Sequence, residues 1–281
     1  MSITSALFIG VNGMKAQSEA MGVISNNISN VNTVGYKVAR TLFSDLLSQN
    51  IGHNNSQVGL GTQIQKVENQ FFGGTLQTTA NISDLALLGD NVFFTVSGTA
   101  TTPPAAPITP DAAQLTKAGA FHVTTGTTNL LVNPDGKCVL DSAGSVIDFA
   151  KWVPVNTFGR ITGIDADGTI HAVDTAGDVM TAVGTGKIGM VRVAVPLELQ
   201  KSGDSLYATT AAAGVPAVYA NATGSTLAPT EKIVANALES SNVDMASEMV
   251  NMIVTQRAYS ANAKTISVND TLTNDAIQMV R

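Results

Sequence analysis

Residues 25–37 read SNNISNVNTVGYK. Five of these thirteen positions are Asn or Gly, and they follow directly on a run with helical apolar spacing. Asn tolerates the left-handed conformation that ends a helix, and its side chain satisfies backbone groups left free there. Gly35 admits a turn closed to other residues. Asn26, Asn27, Asn30 and Asn32 therefore mark the place where a helix must stop and hand the chain to strands.

Upstream, Leu7, Met14, Met21 and Ile28 repeat at a strict seven-residue step, with Ile3, Val11, Ile24 and Val31 three or four residues away. That is a coiled-coil-like stripe. Downstream, from about Thr33 to Pro229, short alternating runs such as NVFFTVSG, LLVNPDGKCVLD and ITGIDADGTIHAV are broken by Gly, Asn, Asp and Pro. These read as strands and hairpins. After Pro229 neither Gly nor Pro occurs up to Arg281, and a second seven-residue series runs through Met245, Met252, Tyr259, Ile266 and Val280, with Met249, Ala263 and Ile277 between. The expected fold is α+β: an N-terminal helix (1–31), a linker with extended segments (32–74), a central β-rich domain (75–228) and a C-terminal helical segment (229–281), the two helices forming a coiled-coil-like inner domain.

A helix over 245–281 would span about 55 Å at 1.5 Å per residue, so its stripe needs an equally long partner. The N-terminal segment is the natural one. Yet Gly10, Gly13 and Gly22 interrupt the first segment at about 1 kcal/mol each, and Val254, Thr255, Thr265, Val268, Thr271 and Thr273 weaken the second. Ser18, Ser25, Gln256 and Asp270 break the two stripes. A single intramolecular pair would leave a leaky seam, so the termini are expected to order mainly against copies of themselves, in a polymer. Methionine is flexible and fills irregular gaps, which suits Met245, Met249 and Met252 to an interface between subunits.

Composition excludes several classes. The chain has 281 residues, 44% hydrophobic, with a mean hydropathy of +0.19, enough for at least one buried core. A net charge of −6 with 15 scattered Lys and Arg argues against a nucleic-acid partner. Cys138 is the one cysteine, so no intramolecular disulfide forms. The N-terminus has no basic n-region and no apolar run approaches the roughly 18 residues of a membrane span, so neither a cleaved signal nor a span is expected.

Catalytic readings find no support. His53, His122 and His171 have no partners at metal-ligand spacing. DADG (165–168) lacks the closing Glu of a calcium loop and reads as a hairpin turn, and GTGKIG (184–189) lacks the spacing of a phosphate-binding loop. Cys138 sits in an apolar alternation and reads as a buried, inert thiol. No catalytic, metal-binding or cofactor-binding residue is assigned.

Two long stretches at opposite ends, LFIGVNGMKAQSEAMGVI with SNNISNVNTVGYK, and LESSNVDMASEMVNMIVTQRAYSANAKTISVND, resemble the bacterial flagellar axial proteins, the family of rod, hook and hook-associated subunits. Weaker echoes lie in VGLGTQIQKVENQFFGGTLQTT, SDLALLGDNVFFTV and LTKAGAFHVTTGTTNLLVNPDG. The resemblance implies terminal helices that form an inner tube, a β-rich domain outside it and no enzymatic activity. It implies a helical homopolymer whose partners are other axial proteins (rod, hook cap and hook-associated junction proteins) and the flagellar type III export apparatus, with the protein exported to the flagellum. On it, Leu7, Met14, Met21, Ile28, Met245, Met249, Met252, Tyr259 and Ile266 are the self-assembly positions, and Asn26, Asn27, Asn30, Asn32, Gly35 and Tyr36 form the signature turn.

VNTVGYK followed by LFSDLLSQ looks more like the hook protein, the flexible torque-transmitting joint. The chain is short for a hook, which argues for the distal rod as alternative. A secreted β-rich adhesin would explain the middle but not the termini. Two departures from the family pattern stand out. Where the family shows two glycines before paired phenylalanines, this chain has Gly89, Asp90, Asn91 and Val92 before Phe93 and Phe94, so Asn91 is expected to hold the left-handed turn. Leu115 and Lys117 replace an aromatic residue and an Arg, removing a planar bidentate donor.

Overall fold

The computed structural model describes residues 3–47, 49–50, 57–101, 103–104, 106–124, 128–155, 158–214, 219–221 and 231–279. The chain forms two compact units, one of Met1–Val31, Val38–Gln70 and Val243–Arg281, the other of Asn32–Lys37 and Phe71–Asn242.

The first unit is built on two helices, α1 (Ile3–Ser29) and α2 (Met245–Met279), and an antiparallel hairpin of Ala39–Asp45 with Thr62–Asn69. Gly10 faces Ile266, Gly13 faces Asn262 and Asn27 bonds Glu248, so the helices run antiparallel within one chain. The centre of their seam is small: Gly10, Gly13, Ala16 and Ala20 are buried. A Cβ at Gly10 would lie 2.8 Å from Ile266 Cγ1, and one at Gly13 would lie 2.7 Å from Asn262 Nδ2. The glycines that weaken the helix by propensity are thus the points where the partner helix approaches most closely. The sequence led to an expectation that the termini order mainly against copies of themselves; here the two helices pair within one chain.

The apolar stripe read from α1 lies on the flank of this seam. Leu7, Met14, Met21 and Ile28 are half-buried, roughly a third of a turn from the Ala16–Ala20 line at 100° per residue. Across the seam, Thr255 is buried and Met252, Asn262, Ile266 and Asn269 are half-buried. Polar side chains are tolerated there because they reach backbone: Thr255 Oγ1 donates to the Asn251 carbonyl at 2.8 Å. Asp244 caps α2, accepting from the Ala246 amide at 3.0 Å and from Ser247 Oγ at 2.8 Å.

The second unit is β-rich. Its largest sheet centres on Val92–Ser97, which pairs with Gln114–Thr116, Cys138–Val139 and Met190–Arg192. Alternation sends Phe93 and Phe94 to opposite faces, each fully buried. Phe94 meets Phe121 edge-on at 5.1 Å in the larger core, whereas Phe93 meets Phe71 at 5.3 Å in the smaller. A recurring turn reverses the strands. Asn133–Gly136, Asp141–Gly144, Asp165–Gly168 and Asp174–Gly177 each close with the Gly amide donating to the Asx carbonyl, and all four glycines have positive φ. The DADG reading as a hairpin is thereby met: it joins Phe158–Ile164 to Ile170–Asp174.

Two expectations change. The left-handed residue before the paired phenylalanines is Gly89 (φ 110°), not Asn91, so the turn carries no Cβ penalty. Residues 232–239, read as part of the C-terminal helical segment, form the strands Lys232–Ala235 and Ala237–Glu239, paired with Leu85–Leu88 and Leu76–Thr78. Asn236 (φ 56°) separates them. The β-branched pair Ile233–Val234 and available partner strands override a stretch that lacks breakers.

Candidate functional site

In the first unit the signature begins with Asn27, which is buried in the last turn of α1. Its Oδ1 accepts from the Ala39 amide at 2.9 Å, and its Nδ2 donates to the Ala39 carbonyl at 2.8 Å. One carboxamide thus supplies both bonds a neighbouring strand would give, at the first residue of the hairpin. Nδ2 also donates to Glu248 Oε2 at 3.0 Å, on the first turn of α2. Asn27 therefore ties both helices and the hairpin together. Asn30 Nδ2 donates to the Asn26 carbonyl at 2.9 Å and to Asn26 Oδ1 at 3.0 Å, while Asn26 and Asn32 are exposed. Beside Asn27 opens a cleft of about 510 Å³ whose walls include Ile24, Arg40, Phe43, Glu248 and Val254.

In the second unit the signature continues as a buried ionic site. Gly35 has φ 68°, and a Cβ there would lie 2.5 Å from the Ala118 amide nitrogen, so no other residue fits. Its own amide donates to the Glu239 carbonyl at 2.8 Å. Tyr36 is buried, with Lys201 Nζ 4.6 Å from its ring centroid. Lys37 is fully buried, its Nζ 2.6 Å from Glu239 Oε1 and 2.8 Å from the Phe72 carbonyl. Glu239 Oε1 also accepts from the Gly74 amide at 2.9 Å; Oε2 is buried with no hydrogen-bond partner among the described residues.

Lys117 stands where the resembling proteins carry an Arg, and it keeps a cation in place. It is buried, its Nζ donating to the Gly89 carbonyl at 2.6 Å and lying 5.0 Å from the Phe93 ring centroid. Burial pushes its amine down to about 8, with Glu239 opposing the shift and Lys37 adding to it. The unfolded chain therefore holds the proton that the folded one has lost between pH 8 and 10.5, and stability rises with pH across that window. Above pH 10 the buried phenols of Tyr207 and Tyr219, both pushed up by burial, work in the opposite direction. Between pH 8 and 9.5 Lys117 is expected to contribute a gain of about 2 kcal/mol to the β-rich unit, opposed above about pH 9 by the buried Cys138 thiol, which burial pushes up. In Lys117→Met that contribution should be lost, leaving the opposed effects of Lys201, also lowered by burial, and Cys138. Urea unfolding monitored by fluorescence of Trp152, the one tryptophan and a core residue of this unit, measures both.

The assembly positions read from the sequence divide by exposure. Met252 and Ile266 turn toward α1, whereas Met245, Met249 and Tyr259 are exposed, as are Val250, Ile253, Val254, Val268 and Leu272. Val280 and His53 lie outside the described residues. His122 is exposed, and His171 Nε2 lies 2.8 Å from Asp165 Oδ2 at the surface. Cys138 is fully buried and burial pushes its thiol up, as an inert core cysteine requires. Among the described residues no group of His, Cys, Asp or Glu could hold a metal, and no helix is long and apolar enough to cross a membrane. The Lys37–Glu239 pair was not read from the sequence, although each residue sits inside one of the two terminal stretches.

Residues 7–37 match the family described as "Flagella basal body rod protein", and residues 234–279 match "Flagellar basal body rod FlgEFG protein C-terminal". The flagellar basal-body rod protein FlgG of Bacillus subtilis (strain 168) is 32% identical over 287 residues, covering 98% of this chain and 99% of its own. The chain belongs to the flagellar rod and hook protein family. It is a structural protein of the bacterial flagellum, not an enzyme. FlgG of Agrobacterium fabrum is 30% identical across 94% of this chain. The flagellar hook protein FlgE of Treponema pallidum is 37% identical over 140 residues, which cover 46% of this chain and 27% of the hook protein. Each family match includes one member of the ionic pair: the first ends at Lys37 and the second spans Glu239.

Proposed function

We propose that the protein is a subunit of the flagellar rod, the drive shaft of the basal body, and that it self-assembles there into a helical tube with other axial proteins after export by the flagellar type III apparatus. The observation that carries the rod reading over the hook reading is coverage. Rod relatives align over nearly the whole chain and nearly the whole of their own length, whereas the hook relative aligns over less than half of this chain. The hook reading retains one support, the higher local identity of that partial match. Self-assembly is supported by α2, which has paired with α1 and still exposes Met249, Val250, Ile253 and Val254.

Placement in the organelle tests the reading. An epitope inserted at Gly177, in an exposed turn of the β-rich unit, is expected to label purified basal bodies at the rod by immunoelectron microscopy. Loss of the gene should leave cells without hook or filament. Label running along the curved hook would overturn the rod assignment and favour the hook.

A further inference from the structure

Resting on the self-assembly reading, we infer that the C-terminal end of α2 from one copy docks into the cleft beside Asn27 of the next copy. The cleft is lined by apolar side chains, Ile24, Phe43 and Val254 among them, and by polar ones, Gln17, Gln70 and Asn251 among them, and its volume of about 510 Å³ has room for a few side chains rather than a whole helix. Of its two charged walls, Glu248 is engaged by Asn27, and Arg40 is exposed. The far end of α2 offers the matching shape and charge. Leu272 and Met279 stand seven residues apart on one helical face, 54% and 82% exposed, with exposed Asp275 between them. By the antiparallel register, Leu272 lies level with Ile3, and the described part of α1 reaches no further. A large apolar side chain as exposed as Met279 at the end of an ordered helix marks a contact surface when a complementary groove exists.

The second copy is the occupant the charges favour, because Asp275 complements Arg40 and both belong to this chain. Knob and cleft are different surfaces, separated by about 30 Å along α2 from Val254 to Asp275. A contact between them is heterologous, the class of interface that extends into a helical filament when its rotation does not close a ring.

The test uses the full-length chain. Met279→Asp places a carboxylate on an exposed position, so the monomer should keep its wild-type circular dichroism, while the concentration needed for pelleting rises about tenfold or more. In the double variant Ile24→Cys, Met279→Cys, oxidation of pelleted material should give a ladder of covalent multimers on denaturing gels, which neither single variant should give; the native Cys138 is buried. Normal pelleting of Met279→Asp, or monomers from the pelleted double variant, would overturn the docking while leaving self-assembly standing. Failure of the wild type to pellet at all would overturn both.

Discussion

Lys37→Met is expected to destabilise the β-rich unit by about 3–5 kcal/mol, the cost of stripping a buried charge of its partner. In the wild type, Nζ of Lys37 is shared between Glu239 Oε1 and the Phe72 carbonyl, and both side chains are closed to water. Methionine fills the same volume but leaves the Glu239 carboxylate with one backbone amide, from Gly74, and an unmet Oε2. Lys117 is the next cation that feels Glu239, and it is already bound to Gly89. The double variant Lys37→Met, Glu239→Leu removes both charges and should regain most of the loss, since a buried ion pair is often replaced by apolar residues at little cost. Urea titration read by Trp152 fluorescence decides the matter. A loss below about 1 kcal/mol in the single variant, or a double variant worse than the single, would mean that the pair does not hold the two signatures together.

The architecture was largely legible because its signals are local. Alternation in NVFFTV set a central strand, and Asx-x-x-Gly turns set hairpins whose glycines all have positive φ. The long C-terminal helix followed from the absence of breakers, although Lys232–Glu239 showed that absence alone does not make a helix when partner strands wait. The helix seam was misread by one flank for a physical reason. Gly10, Gly13, Ala16 and Ala20 allow close approach yet contribute almost nothing to an apolar periodicity, so the larger Leu7, Met14 and Met21 beside them dominated the pattern. The ionic site was hidden by distance: Lys37 and Glu239 are 202 residues apart, and neither carries a local sign of its partner. Asn27 was read as part of a left-handed, helix-ending turn, yet it lies within α1, none of Asn26, Asn27, Asn30 and Asn32 has positive φ, and its pairing with Ala39 is tertiary and has no signature in spacing.

Ala20→Asp and Met249→Asp should separate folding from assembly. Ala20 is 3% exposed in the seam between the helices, so a carboxylate there loses water and overfills a close helix contact. The expected cost is several kcal/mol, enough to undo the pairing of α1 with α2. The helical signal at 222 nm should fall sharply at 25 °C, because neither helix is stable alone at these propensities. The Trp152 transition should hardly move, since the change lies in the other unit. Met249, by contrast, is 52% exposed on the second helix. Aspartate there should leave both the helical signal and the Trp152 transition unchanged, yet abolish sedimenting polymer if that face meets another copy. Val179→Asp, at a residue 76% exposed in the β-rich unit, serves as the control that assembles normally. Thr169, in the DADG hairpin, would be a poorer control, because its hydroxyl donates to Asp167 Oδ1 at 2.8 Å and a carboxylate there would face another. Normal polymers from Met249→Asp would remove the exposed methionine face from the assembly core. Retained helicity in Ala20→Asp would show that the small-residue seam does not hold the helices together, and the account of the glycines as close-approach points would fall with it.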